Sequence, residues 1–380
     1  MDIDTTTDRQ LRQIGPVVAV GPRPLYKADH LHPTQRGWLF LGKNGGPCDK
    51  ACKMCYYAYQ DQLVFYALDT LLARANLFRH HYGLLYCDLS GGEATIYGPK
   101  DQSGQRPWLN QLVHHCAAIG LKPTIITHGQ NNTEALVKGV EAAGLEDWLI
   151  SMHGMEQGHN QTVVDHRGQG DGGWGRLVRG LGFIKRPVRF NTTLQNFNYQ
   201  ELPALARWLV DHQPATVWNL IQFNPFFAWG DKEVIEFQTR MSDLMPSVAE
   251  AVQIAEQAGW EVNLRYFPYC VAAQYGVQRN CVNFYGTQYD PWEWCLVATQ
   301  RLPMAQVIQL GGMEAARRAL IDQGIAPGRA NESCNACRFH GICEGIPEQY
   351  QRRYGTSELA PLSGEPVTDA GYFEKGGAWA

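Results

Sequence analysis

The stretch CDKACKMC, residues Cys48–Cys55, carries three cysteines at the spacing C-x3-C-x2-C. It follows a short apolar run, 38–41, that has the character of a strand. The three thiolates of Cys48, Cys52 and Cys55 can hold three irons of a cubane cluster and leave the fourth iron without a protein ligand. A zinc site is the alternative, but it would need a fourth ligand from elsewhere in the chain.

Composition limits the kinds of protein that this chain can be. It has 380 residues, 44% of them apolar and 18% charged, which excludes disorder on a large scale. The net charge of −4 predicts neither a nucleic-acid partner nor a membrane partner. No segment has the length of a transmembrane helix or the build of a signal peptide, so we expect a cytoplasmic protein. Eleven cysteines in a reducing compartment then indicate metal binding rather than disulfides.

Beyond the cysteine stretch, short apolar runs alternate with amphipathic stretches. Such an alternation predicts βαβ units and a parallel sheet, here a partial (β/α)6 barrel of the TIM type in the α/β class. We expect an N-terminal extension at 1–36, the barrel at 37–260, a Cys-rich auxiliary-cluster domain at 261–350 and a tail at 351–380. The predicted strands are 38–41, 84–89, 124–127, 148–152, 188–194, 217–223 and 261–267, and the predicted helices are 64–81, 108–118, 133–142, 175–184, 202–211 and 245–258.

Polar and glycine-rich pieces follow the predicted strands. Because the loops after the strands of a parallel barrel share one face, these pieces are expected to converge on one site. They are Ser90–Glu93, His128–Gly129, His153–Gly154 and Asn224–Pro225.

The cysteine stretch resembles the signature of the radical S-adenosylmethionine (SAM) superfamily, and the resemblance extends over about residues 37–230. It implies a 4Fe–4S cluster whose open iron binds the amino and carboxylate groups of SAM. Reduction then cleaves SAM to a 5′-deoxyadenosyl radical, which abstracts hydrogen from a substrate. Met54 stands where the superfamily usually has an aromatic residue near the adenine.

Two further motifs fit the same superfamily. SGGE at Ser90–Glu93 is similar to its Gly-Gly-Glu motif, which implies that Glu93 and the backbone at Gly91 and Gly92 hold the SAM amino group. An ordinary glycine-rich turn is the alternative. Thr127–Gly129 resembles the Thr-Asn-Gly of that superfamily with His128 in place of Asn, and His128 is either a substrate contact or a structural histidine.

Several pieces between Ser151 and Asn191 resemble the SPASM/twitch branch of the superfamily. The match implies that Ser151 and Arg167 engage the SAM carboxylate and that Asn191 contacts the ribose or methionine end of SAM. A solvated charge for Arg167 and a strand-end cap for Asn191 are the alternatives. The matching pieces are SMHG at 151–154, HN at 159–160, DHRG at 165–168 and GGW at 172–174.

The C-terminal third holds six more clustered cysteines. Cys334, Cys337 and Cys343 have the spacing C-x2-C-x5-C, and Cys270, Cys281 and Cys295 lie upstream. This region is similar to the auxiliary-cluster region of SPASM/twitch enzymes. We expect one auxiliary 4Fe–4S cluster bound by Cys334, Cys337 and Cys343 with Cys270 or Cys281, and a structural zinc knuckle is the alternative. Cys87 and Cys116 are expected to pack inertly.

The resemblance implies a peptide or small-molecule substrate and a reductant such as flavodoxin or ferredoxin, and it assigns no catalytic side chain. The alternative to an enzyme is a non-enzymatic protein that uses its cysteines to bind an iron–sulfur cluster or zinc.

Overall fold

The structure is a computed structural model. It describes residues 36–43, 45–55, 58, 63–81, 83–102, 105–170, 172–223, 236–279, 281–285, 309, 332–343, 345–346, 348–368 and 372–373. Cys295 and the Asn224–Pro225 piece, both singled out in the sequence, lie outside the described residues.

Strands and helices alternate along most of the described chain. The main sheet has eight strands in the order β1-β4-β5-β6-β7-β8-β9-β10, and the neighbours whose register is defined are parallel. This confirms the α/β class and the strand–helix alternation of a partial barrel. The strands are β1 Arg36–Phe40, β2 Gly42–Lys43, β3 Val64–Phe65, β4 Tyr86–Ser90, β5 Lys122–Thr127, β6 Asp147–Ser151, β7 Val188–Leu194, β8 Val217–Gln222, β9 Glu261–Arg265 and β10 Val282–Tyr285.

The helices follow the strands closely. No helix of the described residues combines the length and the apolar character that crossing a membrane requires. The helices are α1 Leu68–Asn76, α2 Pro107–Ala118, α3 Glu134–Ala142, α4 Glu156–Thr162, α5 Gly173–Leu181, α6 Leu202–His212, α7 Met241–Gln257, α8 Tyr269–Gln274 and α9 Glu348–Tyr354.

The helix predicted over 64–81 begins later than expected. Val64 and Phe65 form β3 instead, which pairs antiparallel with β2. The helical pattern is overridden here because the backbone N–H of Tyr66 donates to the carbonyl of Leu41 at 2.9 Å and ties the segment to the end of β1. Helix α1 starts only at Leu68 and ends in one wider turn, Leu77–His81.

The chain divides into two compact units. The first, Gln35–Thr192 with Thr216–Trp218, is called the cysteine-loop unit, and the second, Thr193–Ala215 with the described part of Asn219–Ala380, is called the C-terminal unit. In the cysteine-loop unit α1 packs on α2 and α2 on α3, and in the C-terminal unit α6 packs on α7. The four domain boundaries expected from the sequence stay predictions.

Candidate functional site

The cysteine loop, Cys48–Cys55, is a compact turn whose thiols are partly buried. The backbone N–H of Cys55 donates to the carbonyl of Cys52 at 2.9 Å, and the N–H of Lys50 donates to Sγ of Cys48 at 3.4 Å. Within the described part of the chain, none of the three cysteines is in a disulfide bond. The loop therefore presents three thiols from eight consecutive residues, as the spacing predicts.

A second segment, Thr162–His166, lies along the cysteine loop. The N–H of Ala51 donates to the carbonyl of Val164 at 2.9 Å, and the N–H of Lys53 donates to Thr162 at 3.0 Å. Nε2 of His166 lies 3.0 Å from the carbonyl oxygen of Cys48. This pairing was not foreseen, because no sequence pattern marks an irregular segment that pairs with a loop.

Arg167 directly follows that segment. Its side chain is exposed, and its backbone N–H donates to Oδ1 of Asp165 at 2.8 Å. The structure thus places Arg167 beside the segment that borders the cysteine loop. Its contact with the SAM carboxylate stays a prediction.

Gly91 and Gly92 bring the loop after β4 against the start of the cysteine loop. Both have positive φ, +90° and +63°. A Cβ on Gly91 would lie 2.4 Å from the carbonyl oxygen of Gly45, and one on Gly92 would lie 2.1 Å from that of Pro47. Only glycine permits this approach, which lets the N–H of Glu93 donate to the carbonyl of Pro47 at 2.9 Å.

The Glu93 side chain is 1% exposed and is held by donors of this chain. Oε1 accepts from the N–H of Thr95 at 3.0 Å and from the hydroxyls of Thr95 and Thr127. Oε2 accepts from the N–H of His128 at 3.1 Å and lies 3.2 Å from its Nε2. Since two carboxylate oxygens offer about four lone-pair sites, this contact set is close to complete. Glu93 therefore joins the end of β4 to the end of β5, and its contact with the SAM amino group stays a prediction.

His128 bridges Glu93 and the cysteine loop. Its Nε2 lies 3.0 Å from Oδ1 of Asp49. Burial lowers the pKa of His128, but the neighbouring Glu93 and Asp49 carboxylates outweigh burial, so that the pKa is raised. For Asp49 burial raises the pKa, yet the His128 contact dominates and lowers it to about 2. Asp49 is thus a carboxylate at neutral pH.

Ser151 and Asn191 are brought together by the sheet. Ser151 is the last residue of β6 and is the register partner of Asn191 in β7, and both are partly buried. The N–H of Met152 donates to the carbonyl of Asn191 at 2.8 Å. Two of the residues assigned to SAM by resemblance therefore stand side by side, Ser151 at the carboxyl end of β6 and Asn191 in the middle of β7.

The thiols of Cys48 and Cys52 are neutral without a metal. Burial raises the pKa of Cys48, and the Glu93 carboxylate raises it further. Burial also raises the pKa of Cys52, with a second contribution from Cys55. A bound metal would displace these protons, because a coordinating thiol is deprotonated.

One set of metal-binding side chains lies close together at the start of the cysteine loop. Within the described part of the chain, one set of three metal-binding side chains has all its ligand atoms within 4.8 Å of one another, namely Cys48, Asp49 and His128. Neither the three loop thiols nor any three of the C-terminal thiols form such a set.

The C-terminal cysteines gather around one cavity. Four of them line it, together with His340, Leu359 and Pro361: Cys270, Cys334, Cys337 and Cys343. Cys281 is not among the lining residues; its carbonyl accepts from the N–H of Val262 at 2.9 Å, one residue before β10. Of the two alternatives left open by the sequence, the structure places Cys270 with the other three.

Backbone donors and aromatic rings surround this cavity. The N–H of Gly345 donates to Sγ of Cys343 and the N–H of Leu362 donates to Sγ of Cys337, each at 3.4 Å. Burial raises the pKa of Cys343 to about 12. Four rings pack edge to face or tilted nearby: Tyr269, Phe284, Phe339 and Phe373.

The segment Leu359–Leu362 was missed as part of this site. It carries no cysteine, histidine or acidic residue, so nothing in the sequence marks it. Cys87 and Cys116, in contrast, are fully buried as expected of packing cysteines.

Curated relatives match about half of the chain. The sequence is 22% identical to PqqA peptide cyclase of Xanthomonas axonopodis pv. citri over 213 residues, which cover 55% of this chain and 53% of the relative. It is 21% identical to S-adenosylmethionine-dependent nucleotide dehydratase of Flammeovirga pacifica over 208 residues, which cover 50% and 64%. The chain spans about half the length of the first curated relatives that it matches.

Among solved structures, the chain is similar to Streptococcus suis SuiB bound to precursor peptide SuiA. The TM-score is 0.49 at 14% identity, covering 68% of this chain and 55% of that one. No protein-family model matches the chain.

Proposed function

We propose, from the chain's resemblance to the radical SAM superfamily and its SPASM/twitch branch, that this protein cleaves SAM reductively and modifies a substrate by hydrogen abstraction. The observation that carries the proposal is the cysteine loop, which presents Cys48, Cys52 and Cys55 from one braced turn at the carboxyl ends of parallel strands. A 4Fe–4S cluster on these thiols would supply the electron that splits SAM into methionine and a 5′-deoxyadenosyl radical.

The residues around the loop would bind and orient SAM. Ser151, at the end of β6, and Asn191, in the middle of β7, stand side by side and offer a hydroxyl and an amide group. Arg167 is exposed next to the loop and could pair with the SAM carboxylate. Gly91 and Gly92 keep the loop after β4 close to the cysteine loop, so their backbone lies near any cluster ligand.

We also propose one auxiliary 4Fe–4S cluster on Cys270, Cys334, Cys337 and Cys343. Four thiols line one cavity, and two of them accept backbone N–H donors, as cluster sulfurs do in proteins. The donor set is all sulfur, which suits an iron–sulfur cluster or zinc.

For the substrate we propose a peptide. Most of the curated relatives carry the name PqqA peptide cyclase, which favours this class. A small molecule is the second candidate, because another relative is named a nucleotide dehydratase. The electron would come from a flavodoxin or ferredoxin, since the chain needs one external electron for each SAM cleaved.

The first test measures SAM cleavage. Protein reconstituted anaerobically with iron and sulfide is incubated with SAM and dithionite, and 5′-deoxyadenosine is quantified. We expect the wild type and Cys116→Ala to form it and Cys55→Ala to form none. Cys116 is the matched control because it is a buried cysteine outside both sites. A wild type with an intact cluster that leaves SAM uncleaved would favour the non-enzymatic iron–sulfur or zinc protein.

The second test counts metals. Two clusters require about eight irons per chain and one requires about four. Cys270→Ala is expected to lose the auxiliary irons and Cys281→Ala to retain them, while the loop cluster persists in both. Stoichiometric zinc in place of the auxiliary irons would instead establish the zinc knuckle.

The substrate class is tested with synthetic peptides encoded by short reading frames next to the gene. A peptide that changes mass only in the presence of SAM and reductant supports the proposal. Turnover of nucleotides or sugars, with every peptide unchanged, would favour the small-molecule class.

A further inference from the structure

Asp49 lies between two of the loop cysteines, Cys48 and Cys52. Its side chain is held by residues of the loop that follows β5. Oδ1 is 3.0 Å from Nε2 of His128, and Nδ2 of Asn131 lies 3.3 Å from each carboxylate oxygen. The side chain is 36% exposed, so water could have solvated it. Instead it is hydrogen-bonded to two side chains of the loop that follows β5.

His128 is itself fixed in one orientation. The N–H of Gln130 donates to its Nδ1 at 3.1 Å, so the neutral ring carries its proton on Nε2 and donates it toward Asp49. The backbone N–H of His128 donates to Oε2 of Glu93 at 3.1 Å. Because the Glu93 carboxylate is buried and saturated by donors, the imidazole has little freedom to move.

These contacts form one continuous link. Glu93 at the end of β4 holds His128 at the end of β5, and His128 holds Asp49 inside the cysteine loop. The link also brings Asp49 and His128 close to Sγ of Cys48, with all three ligand atoms within 4.8 Å of one another. Outer groups that orient metal ligands commonly change metal affinity or activity 10- to 100-fold when they are removed.

We propose that Asp49 is a positioning residue: held by His128 and Asn131, it sets the geometry of the cysteine loop that would hold the cluster. The inference rests on the proposed function and adds to it a residue between the cluster ligands. In this role Asp49 acts through the loop.

The test compares Asp49→Ala with Asp49→Asn. Alanine removes the link, whereas asparagine keeps an oxygen that accepts from His128. The control is Asp101→Ala, which removes another loop carboxylate of the same unit that accepts a backbone N–H at 2.9 Å, here from Gln105. Each protein is reconstituted, its iron is counted, and the KM for SAM and the electron paramagnetic resonance spectrum of the reduced cluster are recorded with and without SAM.

We expect Asp49→Ala to retain its auxiliary irons and to raise the KM for SAM about 10-fold or more, with a broadened cluster signal that responds weakly to SAM. Asp49→Asn should recover most of the wild-type behaviour, and Asp101→Ala should match the wild type. In a double-mutant cycle the effects of Asp49→Ala and His128→Ala should be far from additive.

The inference is wrong if the wild type cleaves SAM but the KM and the spectrum of Asp49→Ala are unchanged. That result would leave the proposed function intact. Additive single effects would overturn the inference as well. A wild type that fails to cleave SAM would instead refute the proposed function itself.

Discussion

Buried polar side chains, rather than the cysteines alone, define the surroundings of the cysteine loop. Glu93 is 1% exposed and His153 is 2% exposed. The N–H of His153 donates to Nδ1 of His159 at 3.3 Å, and the two rings stack with their centroids 6.2 Å apart. His153 is thus a buried imidazole packed against a second one.

His153 makes the stability of the protein depend on pH. Burial lowers its pKa to about 3. Between the ordinary value of about 6.5 and pH 3, the unfolded chain binds a proton at this position and the folded chain does not. The free energy of unfolding therefore falls on acidification, by up to about 1.4 kcal/mol per pH unit.

Urea unfolding of the wild type and His153→Phe from pH 7.5 to 4.5 checks this prediction. The free energy of unfolding of the variant should depend less steeply on pH than that of the wild type. The difference in slope should correspond to about one proton, whatever the stability of the variant at pH 7.5. Identical slopes for the two proteins would show that His153 titrates normally in the folded state.

At the scale of the element, helix α7 is capped from the far end of the chain. The N–H of Met241 donates to the hydroxyl of Tyr350 at 2.7 Å, and the N–H of Ser242 donates to Oε1 of Glu358 at 2.7 Å. Tyr350 in turn donates to Glu358. The first N–H groups of a helix have no partner inside it, so these contacts stabilise the turn that opens α7.

Tyr350→Phe should lower the free energy of unfolding by about 1–3 kcal/mol, because it leaves the buried N–H of Met241 without an acceptor. The measurement is urea unfolding at pH 7.5. Tyr199→Phe is the matched control, since its hydroxyl meets only an exposed glutamine at 3.3 Å, and it should change stability by less than about 0.5 kcal/mol. Equal effects of the two substitutions would contradict this account of the cap.

A backbone N–H of the segment Leu359–Leu362 can be used to test the proposed auxiliary cluster. Leu362→Pro removes the N–H that donates to Sγ of Cys337 at 3.4 Å. Since N–H donors to cluster sulfurs stabilise the reduced cluster, we expect a more negative midpoint potential of the auxiliary cluster.

Leu362→Ala keeps the N–H and should keep the potential of the wild type. The measurement is a redox titration followed by electron paramagnetic resonance. A potential that shifts equally in both variants would assign the effect to the lost side chain instead of the hydrogen bond.

At the scale of the whole molecule, the cysteine-loop unit contains a buried ion network across its strands. Arg36 pairs with Asp88, and Nε of Arg189 lies 2.6 Å from Oδ2 of Asp147. Burial raises the pKa of Asp147, but Arg189 outweighs burial and lowers it to about 2. The network links β1, β4, β6 and β7 inside the sheet, with the hydroxyl of Thr124 from β5 between the charges.

Arg189→Met should destabilise the cysteine-loop unit by about 3–5 kcal/mol, because it leaves the Asp147 carboxylate buried without its cation. Arg207→Met is the control: its partner Glu250 is exposed, at 51%, and the loss should stay below about 1 kcal/mol. Urea unfolding of both variants at pH 7.5 gives the comparison. If Arg189→Met unfolded as the control does, the network would contribute nothing measurable.

The sequence alone determined the sheet and the cysteine loop. Apolar runs such as 188–194 and 217–223 predicted β7 and β8 to within a residue, because burial on both faces demands continuous apolar strands. The spacing of Cys48, Cys52 and Cys55 is local, so three thiols on one turn could be inferred from it. A sequence pattern identifies groups of residues that are close together along the chain.

Only the tertiary structure decided the contacts that join distant segments. Helix α7 begins four residues before the predicted 245 because Tyr350 and Glu358 cap it, and neither residue is near it in sequence. Cys270 meets Cys337 across 67 residues, and Asp49 meets His128 across 79. Such pairings depend on how strands and loops are placed in space, and side-chain spacing along the chain contains no information about that placement.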